Sequence, residues 1–511
     1  MAAVTLPLVY VVMRAFQGGV HGYLEAIGTA RMAGLLWRTL ILIAGALAVA
    51  VPVALGAAWL VVRTDLRWRR FWATVLALPL VFPSYVAAFA LIAVAGPSGL
   101  LQGFLEPLGI QRLPSLAYGY SGAVITLSLF TYPYIYLLLV PAWKALDPAL
   151  EETSRTLGAG PLRTWRRVVL PQLRSPLYGG GLLVTLYVVS DFGAVSLVRY
   201  NTLTLSVFHA YRSLFDRTVA AATSTVLIAV AVSFVALQAV LRSRVRAVRR
   251  EPTRPPAPVR LGRAQGLAQG ALVLFALATV GIPGGVVIGW GLRAIDVGKP
   301  LGTVVSAMVH SLQVSLLAAL AATVLALPVA FWTVRFPTRT SRTAERLCYS
   351  GYALPGLVVA LALVFFATRH AGFLYQTLAL LVVAYVVRFL PEALSATRSA
   401  LSDVAPHFEE AARVLGRTPW SAWRRITLPM IAPGVSVGAG LVFLTTMKEL
   451  PATIILRPTG FETLATRIWA AADEGIFSEA ALPALMLLTV SVLPVWWLSI
   501  RPALRERERR T

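Results

Sequence analysis

Long apolar runs alternate with short basic connections along nearly the whole chain. The runs at 40–62, 71–95, 182–198, 219–241, 311–334, 374–387 and 482–500 hardly contain a charge. Around 20 apolar residues in helical form cross a bilayer core, and a soluble core helix rarely needs so many. The short alternating segments of a membrane barrel are absent. The pattern predicts an all-α polytopic membrane protein, with spans at 3–16, 35–62, 71–95, 116–142, 177–198 and 219–241, then 267–292, 309–334, 347–367, 373–397, 434–456 and 479–500. That is six per half. The first, "VTLPLVYVVMRAF", is too short to cross unaided. Either the given start is truncated or this segment only half-enters the membrane.

Composition supports the same reading. Of 511 residues 58% are hydrophobic and 13% charged, with a mean hydropathy of +0.74. A soluble chain would carry about a quarter charged residues. The net charge of +24 would point to nucleic acid in a soluble protein. Here most lysines and arginines lie in clusters at 63–70, 144–174, 242–263, 335–346, 398–425 and 501–510, in every second connection. By the positive-inside rule these connections and both termini are cytoplasmic, and nucleic-acid binding is not expected. The single cysteine, Cys348, permits no intrachain disulfide, and the five histidines lack metal-ligand spacing. No metal or other cofactor is expected. The N-terminus lacks a basic region and small-residue cleavage site, so no cleavable signal peptide is expected.

The halves repeat. "EETSRTLGAGPLRTWRRVVLPQL" at 151–173 returns as "EEAARVLGRTPWSAWRRITLPMI" at 409–431, and "SDFGAVSLVR" at 190–199 returns as "KELPATIILR" at 448–457, both at an offset of 258. An even number of spans per half makes the repeat parallel, about an axis along the membrane normal that surrounds a central path. The join at 242–263 is rich in Arg and Pro and reads as an extended linker. The expected domains are a first one over 1–241 (core 35–241), a cytoplasmic linker over 242–266, a second domain over 267–500 (core 306–500) and a basic cytoplasmic tail over 501–511.

Each polar copy predicts a helix–turn–helix at the cytoplasmic surface. Pro148 and Pro406 suit a first turn. Glu151, Glu152, Glu409 and Glu410 follow where carboxylates complement the helix dipole. Gly158 and Gly416 follow Leu157 and Leu415 where a glycine ends a helix. Pro161 and Pro419 start a second short helix carrying Trp165–Arg166–Arg167 and Trp423–Arg424–Arg425. Lipid anchoring by Trp and Arg would explain one copy. It does not require the same glycine turn twice, whereas docking of a paired partner does.

Glu-Glu-Ala-Ala-Arg-x-Leu-Gly followed by x-Leu-Pro resembles the EAA loop of ATP-binding-cassette importer permeases. The second copy fits closely; the first departs at Thr153 and Ser154. The resemblance covers most of the chain and implies two fused type-1 importer permease domains. It also implies two ATP-binding subunits docked on the loops, an extracytoplasmic solute-binding protein, and a place in the bacterial inner membrane. The lysines Lys144, Lys299 and Lys448 are followed by Ala, Pro and Glu, so no Walker A motif is possible. No catalytic residues are assigned, and the chain is read as a transport component.

Ionisable residues within spans are costly and usually functional. Asp191 lies in the expected fifth span, and Lys448 and Glu449 at the equivalent part of the eleventh. They are the candidate path residues, with a structural salt bridge or a helix-end position shielded by neighbours as the alternative. Arg388 and Glu392 are expected to pair at i, i+4, and Gly179–Gly180–Gly181 to allow close helix approach. "KELPATIILRP" and the fused layout resemble ferric-iron importer permeases, which implies a ferric-iron cargo. Thiamine permeases share the layout, so thiamine or another small solute is the alternative. An ion-gradient-driven secondary transporter would share the span count but leaves the two loops without a role.

Overall fold

The computed structural model describes residues 2–97, 99–106, 116–214, 216–243, 258–296 and 301–491. The expectations for linker residues 244–257, for the end of the last span and for the 501–511 tail lie outside them. The described chain is helical in nearly every element. In the first half run α1 (Ala2–Ala15), α2 (Gly19–Ile27), α3 (Ala30–Arg63), α4 (Arg69–Val75), α5 (Ser84–Ala95), α6 (Leu100–Leu105), α7 (Gly119–Lys144), α8 (Pro148–Thr156), α9 (Pro161–Thr164), α10 (Leu170–Gln172), α11 (Arg174–Ser190), α12 (Gly193–Leu197), α13 (Leu203–Arg212) and α14 (Arg217–Ser243). The second half holds α15 (Ala264–Ala276), α16 (Ile282–Asp296), α17 (Leu301–Arg335), α18 (Arg339–Ser350), α19 (Gly356–His370), α20 (Leu378–Ser402), α21 (His407–Val414), α22 (Pro419–Ala422), α23 (Leu428–Met447), α24 (Pro451–Leu456) and α25 (Leu464–Asp473). Among the described residues, eight helices are long and apolar enough to cross a membrane, or nine if one bent pair counts as a span.

The two longest helices pack by small residues. α3 begins where Thr29 Oγ1 accepts the Met32 N–H at 3.1 Å. It buries Leu42, Ala46, Ala50, Ala54 and Ala57, a stripe that packs on α7. α17 does the same with Ala307, Ser311, Ala318, Ala322, Ala326 and Ala330 against α20 and α23. Helices in lipid gain little from excluding water, so close backbone approach supplies dispersion contact instead. Gly180 lets α11 meet α7 closely: a Cβ there would lie 2.6 Å from Ile135 Cα. The expected close approach at the glycine triplet is therefore present.

Several expected spans are not continuous. The run 71–95 divides into α4, a 3-10 turn (Leu78–Val81) and α5. Proline disfavours helical backbone in the residue before it and lacks an N–H of its own. Accordingly Phe82 is extended, with ψ at 125°, before Pro83. The expected span 347–367 breaks at the equivalent proline, Pro355, and its two arms bend by 106°. The expected spans 177–198 and 434–456 break at Asp191 and at Lys448–Leu450.

By contact the chain forms two compact units. One comprises Thr29–Ser206 and Ala229–Trp290; the other comprises Met1–Gly28, Val207–Ile228 and Gly291–Thr511. The opening segment of each half thus belongs to the unit built mainly from the opposite half. In the second unit α1 lies on α19, with Tyr10 edge-on to Phe366 at 5.9 Å between centroids. In the first unit Trp72 Nε1 donates to Gln269 Oε1 at 2.8 Å, and the Tyr132 and Phe275 rings meet at 5.4 Å. The described end of the linker joins this unit as a short parallel pairing of Val259 with Thr64. Val259 N–H donates to the Arg63 carbonyl at 2.7 Å, and Leu261 N–H to Asp65 Oδ1 at 2.8 Å.

Candidate functional site

The two repeated loops fold alike. In the first, Asp147 caps α8 by accepting the Ala149 N–H at 2.9 Å, and Pro148 takes the first helical position. In the second, α21 starts just after Pro406. Both helices end on a left-handed glycine, Gly158 at φ +78° and Gly416 at φ +77°. Ala159 N–H donates to the Ser154 carbonyl and Arg417 N–H to the Ala412 carbonyl, each at 3.0 Å. This is the six-residue closure of a glycine-terminated helix. α9 and α22 then begin at Pro161 and Pro419 and pass into π-turns at Trp165–Val169 and Trp423–Thr427.

The glutamates divide their roles. The first of each pair is a strut rather than a free surface charge. Arg63, the last residue of α3, donates through Nη2 to Glu151 Oε2 at 2.7 Å, with both side chains buried. Arg335, the last residue of α17, donates through Nη2 to Glu409 Oε1 at 3.0 Å, and Thr427 Oγ1 adds a bond at 2.9 Å. Each loop is thereby pinned to the end of the longest helix of its half. Glu152 and Glu410 remain exposed. So do Leu157 and Leu415, each 82% exposed, and Val414 at 87%. Sequence reasoning did not single out Arg63 and Arg335. Their signal was position: each closes a long apolar run immediately before a basic connection.

The departure at Ser154 is paired with a second change in the same loop. Ser154 and Thr164 take the places that Ala412 and Ala422 hold in the second. Their hydroxyls lie 3.0 Å apart in a hydrogen bond, whereas the two alanines are simply buried. One polar substitution answers the other, so the turn is preserved.

Asp191 and Glu449 do a related job at membrane depth. Asp191 directly follows α11, two residues before α12, and accepts the N–H groups of Ala194 at 3.0 Å and Val195 at 3.3 Å; Ser84 Oγ donates to its other oxygen. Glu449 accepts the Ala452 N–H at 3.1 Å and is ion-paired to Arg388. Both carboxylates are buried, at 7% and 6% exposure. Non-helical backbone within a membrane survives only where protein or a cavity satisfies it. Each carboxylate supplies acceptors for the N–H groups that its break frees. The expected Arg388–Glu392 pair is not formed. Arg388 turns to Glu449 instead, and Glu392 accepts from Thr445 Oγ1 at 2.8 Å. Gly356, where the first half has Ser84, leaves the room: a Cβ there would lie 2.7 Å from Glu449 Oε1. Lys448, beside Glu449, is half-buried. Among the described residues no group of His, Cys, Asp and Glu could hold a metal ion.

The family described as "Binding-protein-dependent transport system inner membrane component" matches twice, over residues 50–247 and 318–500. The chain is 31% identical over 499 residues to the Fe(3+)-transport system permease protein FbpB 2 of Haemophilus influenzae, covering 96% of this chain and 95% of that one. It is 23% identical over 400 residues to the putative ferric transport system permease protein FbpB 1 of the same organism, across 74% of this chain and 63% of the relative. The sulfate transport system permease protein CysW of Synechocystis is 28% identical over 245 residues, 47% of this chain and 87% of that protein. That relative therefore corresponds to about half of this chain. With helices suited to crossing a membrane in both halves and a family match in each, this chain belongs to the inner membrane components of binding-protein-dependent transport systems, with two such domains in tandem.

Proposed function

We propose that the chain is the permease of an importer for ferric iron, working with separate ATP-binding subunits and an extracytoplasmic solute-binding protein. The similarity to a ferric permease over 96% of the chain supports this cargo above all else. The sulfate relative aligns with only half of the chain. In this reading the sequence halves, 1–241 and 267–500, are the permease domains. They are joined by the cytoplasmic linker 242–266 and followed by the tail 501–511, with both termini cytoplasmic.

Two loops fit two ATP-binding subunits, one for each. Leu157, Gly158, Leu415 and Gly416 are the contact knobs and turns. Glu152 and Glu410 are the exposed charges, and Glu151 and Glu409 transmit movement to α3 and α17 through their arginines. The cargo path runs past the helix breaks at Asp191 and at Lys448 and Glu449. These carboxylates serve the path by holding the breaks in place.

The test is uptake of ferric iron by vesicles that carry the permease, its ATP-binding subunits and its receptor. Uptake that requires ATP and receptor is the expected result, and ATP-dependent uptake of thiamine or sulfate in its place overturns the cargo. Topology has its own check. Single cysteines placed in 242–263 on a Cys348→Ser background should react with an impermeant thiol reagent in inside-out vesicles only. Labelling in right-side-out vesicles would reverse the orientation.

A further inference from the structure

α20 carries a polar stripe that runs from membrane depth to just past the end of the expected span 373–397, and beyond Arg388 neither the loops nor the helix breaks use it. Arg388, Glu392, Ser395 and Ser399 follow one another at spacings of four, three and four. At 100° per residue they fall within one narrow arc of the helix. The structure leaves this arc open: Arg388 and Glu392 are half-buried, and Ser395 and Ser399 are exposed. Arg388 is committed to Glu449. Glu392 makes no ion pair among the described residues, and its hydrogen bond comes from a neutral hydroxyl, that of Thr445.

The first half supplies the contrast. Through the repeat offset these four positions correspond to Phe130, Tyr134, Leu137 and Pro141 on α7. That stripe is also partly open, with Leu137 45% exposed, but it carries no charge. A carboxylate facing lipid at this depth costs about 3 kcal/mol even on insertion scales. A face that holds Glu392 is therefore costly to leave against lipid.

We propose that the α20 stripe is a hydrated track for a multivalent cation, with Glu392 as its charge-selecting residue and the Ser395 and Ser399 hydroxyls as the following oxygen contacts. Carboxylate, hydroxyl and water oxygens are the ligands that hard cations prefer. A single carboxylate whose neighbouring guanidinium, Arg388, is already paired with Glu449 attracts such an ion without caging it, which suits passage rather than storage. The cation is handled by the second half, where the charge of the stripe lies. This inference rests on the importer reading and deepens it.

Two measurements separate its failure from failure of that reading. Ser395→Cys and Ser399→Cys, each on the Cys348→Ser background, are exposed to a water-soluble and a lipid-soluble maleimide, with Leu137→Cys as the comparison. No cargo or ATP-binding subunit is needed. Ser395→Cys and Ser399→Cys should react with the water-soluble reagent, and Leu137→Cys only with the lipid-soluble one. Ser399 stands just past the expected span 373–397, so Ser395→Cys decides: its reaction with the lipid-soluble reagent alone, or with neither, overturns the track. Ferric uptake by Glu392→Gln should then fall by about tenfold or more, the equivalent of losing one charge-assisted contact. Glu392→Asp should restore most of it, and ATP hydrolysis stimulated by the receptor should persist in both. Wild-type uptake by Glu392→Gln would remove its selecting role. Absence of ferric uptake by the wild type would instead fall on the cargo assignment and leave the labelling result standing.

Discussion

Replacing Gly158 and Gly416 together with valine should abolish coupled transport while leaving a folded, membrane-inserted permease. Both glycines sit in the left-handed region, where a side chain costs about 1–2 kcal/mol per residue. That cost is small beside the packing of the whole chain. A Cβ at either position would meet nothing within 4 Å in the protein itself. The added bulk therefore projects into whatever docks there, next to Leu157 and Leu415. A contact lesion of about 2 kcal/mol weakens association by roughly thirtyfold at each loop. Co-purification of the ATP-binding subunits and receptor-stimulated ATP hydrolysis should both collapse, and the Gly→Ala pair should lose less. Receptor-stimulated hydrolysis at the wild-type rate in a double valine variant would sink the docking role of the loops.

The next largest effect is expected at Arg388. Arg388→Met leaves the Glu449 carboxylate buried with one backbone N–H for company. Removing one partner of a buried pair costs about 3–5 kcal/mol. The lower end applies here, because the Arg388 side chain keeps 20% exposure against 5% for Glu449. The yield of folded permease and its thermal midpoint in detergent should drop sharply for Arg388→Met. Both should recover in part in Arg388→Met/Glu449→Gln, where neither charge is stranded. The first half shows a second solution at the same place, with Ser84, Phe130 and Asp191 where the second has Gly356, Arg388 and Glu449. Transplanting all three, as Gly356→Ser/Arg388→Phe/Glu449→Asp, should therefore fold better than Arg388→Met alone. An Arg388→Met variant with the wild-type midpoint would mean that the pair does not hold the break.

Much of the loop geometry was legible because it is local. Proline at a first helical turn, glycine at a left-handed end and a second proline three residues later constrain backbone within a few bonds. The sequence reading of Pro161, Pro419, Gly158 and Gly416 therefore corresponds to the observed helix–turn–helix. The struts were not legible. Arg63 and Glu151 are 88 positions apart, and Arg335 and Glu409 are 74 apart. The i, i+4 spacing of Arg388 and Glu392 offered a local partner, yet a stronger one lay across the fold. In that buried setting a carboxylate that also caps a helix start held the guanidinium.

By itself the sequence determined the membrane class, the two-fold repetition and the place of the polar loops. Apolar run length, arginine position and turn residues act over short stretches or by simple summation. Only the tertiary structure decided which carboxylates pair, where spans break, and that the opening segment of each half joins the unit built from the other. An apolar helix such as α1 has no sequence feature that names its groove, since dispersion contact is non-specific until shapes meet. A break such as that at Asp191 requires Ser84 and the N–H groups of α12 to converge on one carboxylate, and packing alone brings them together.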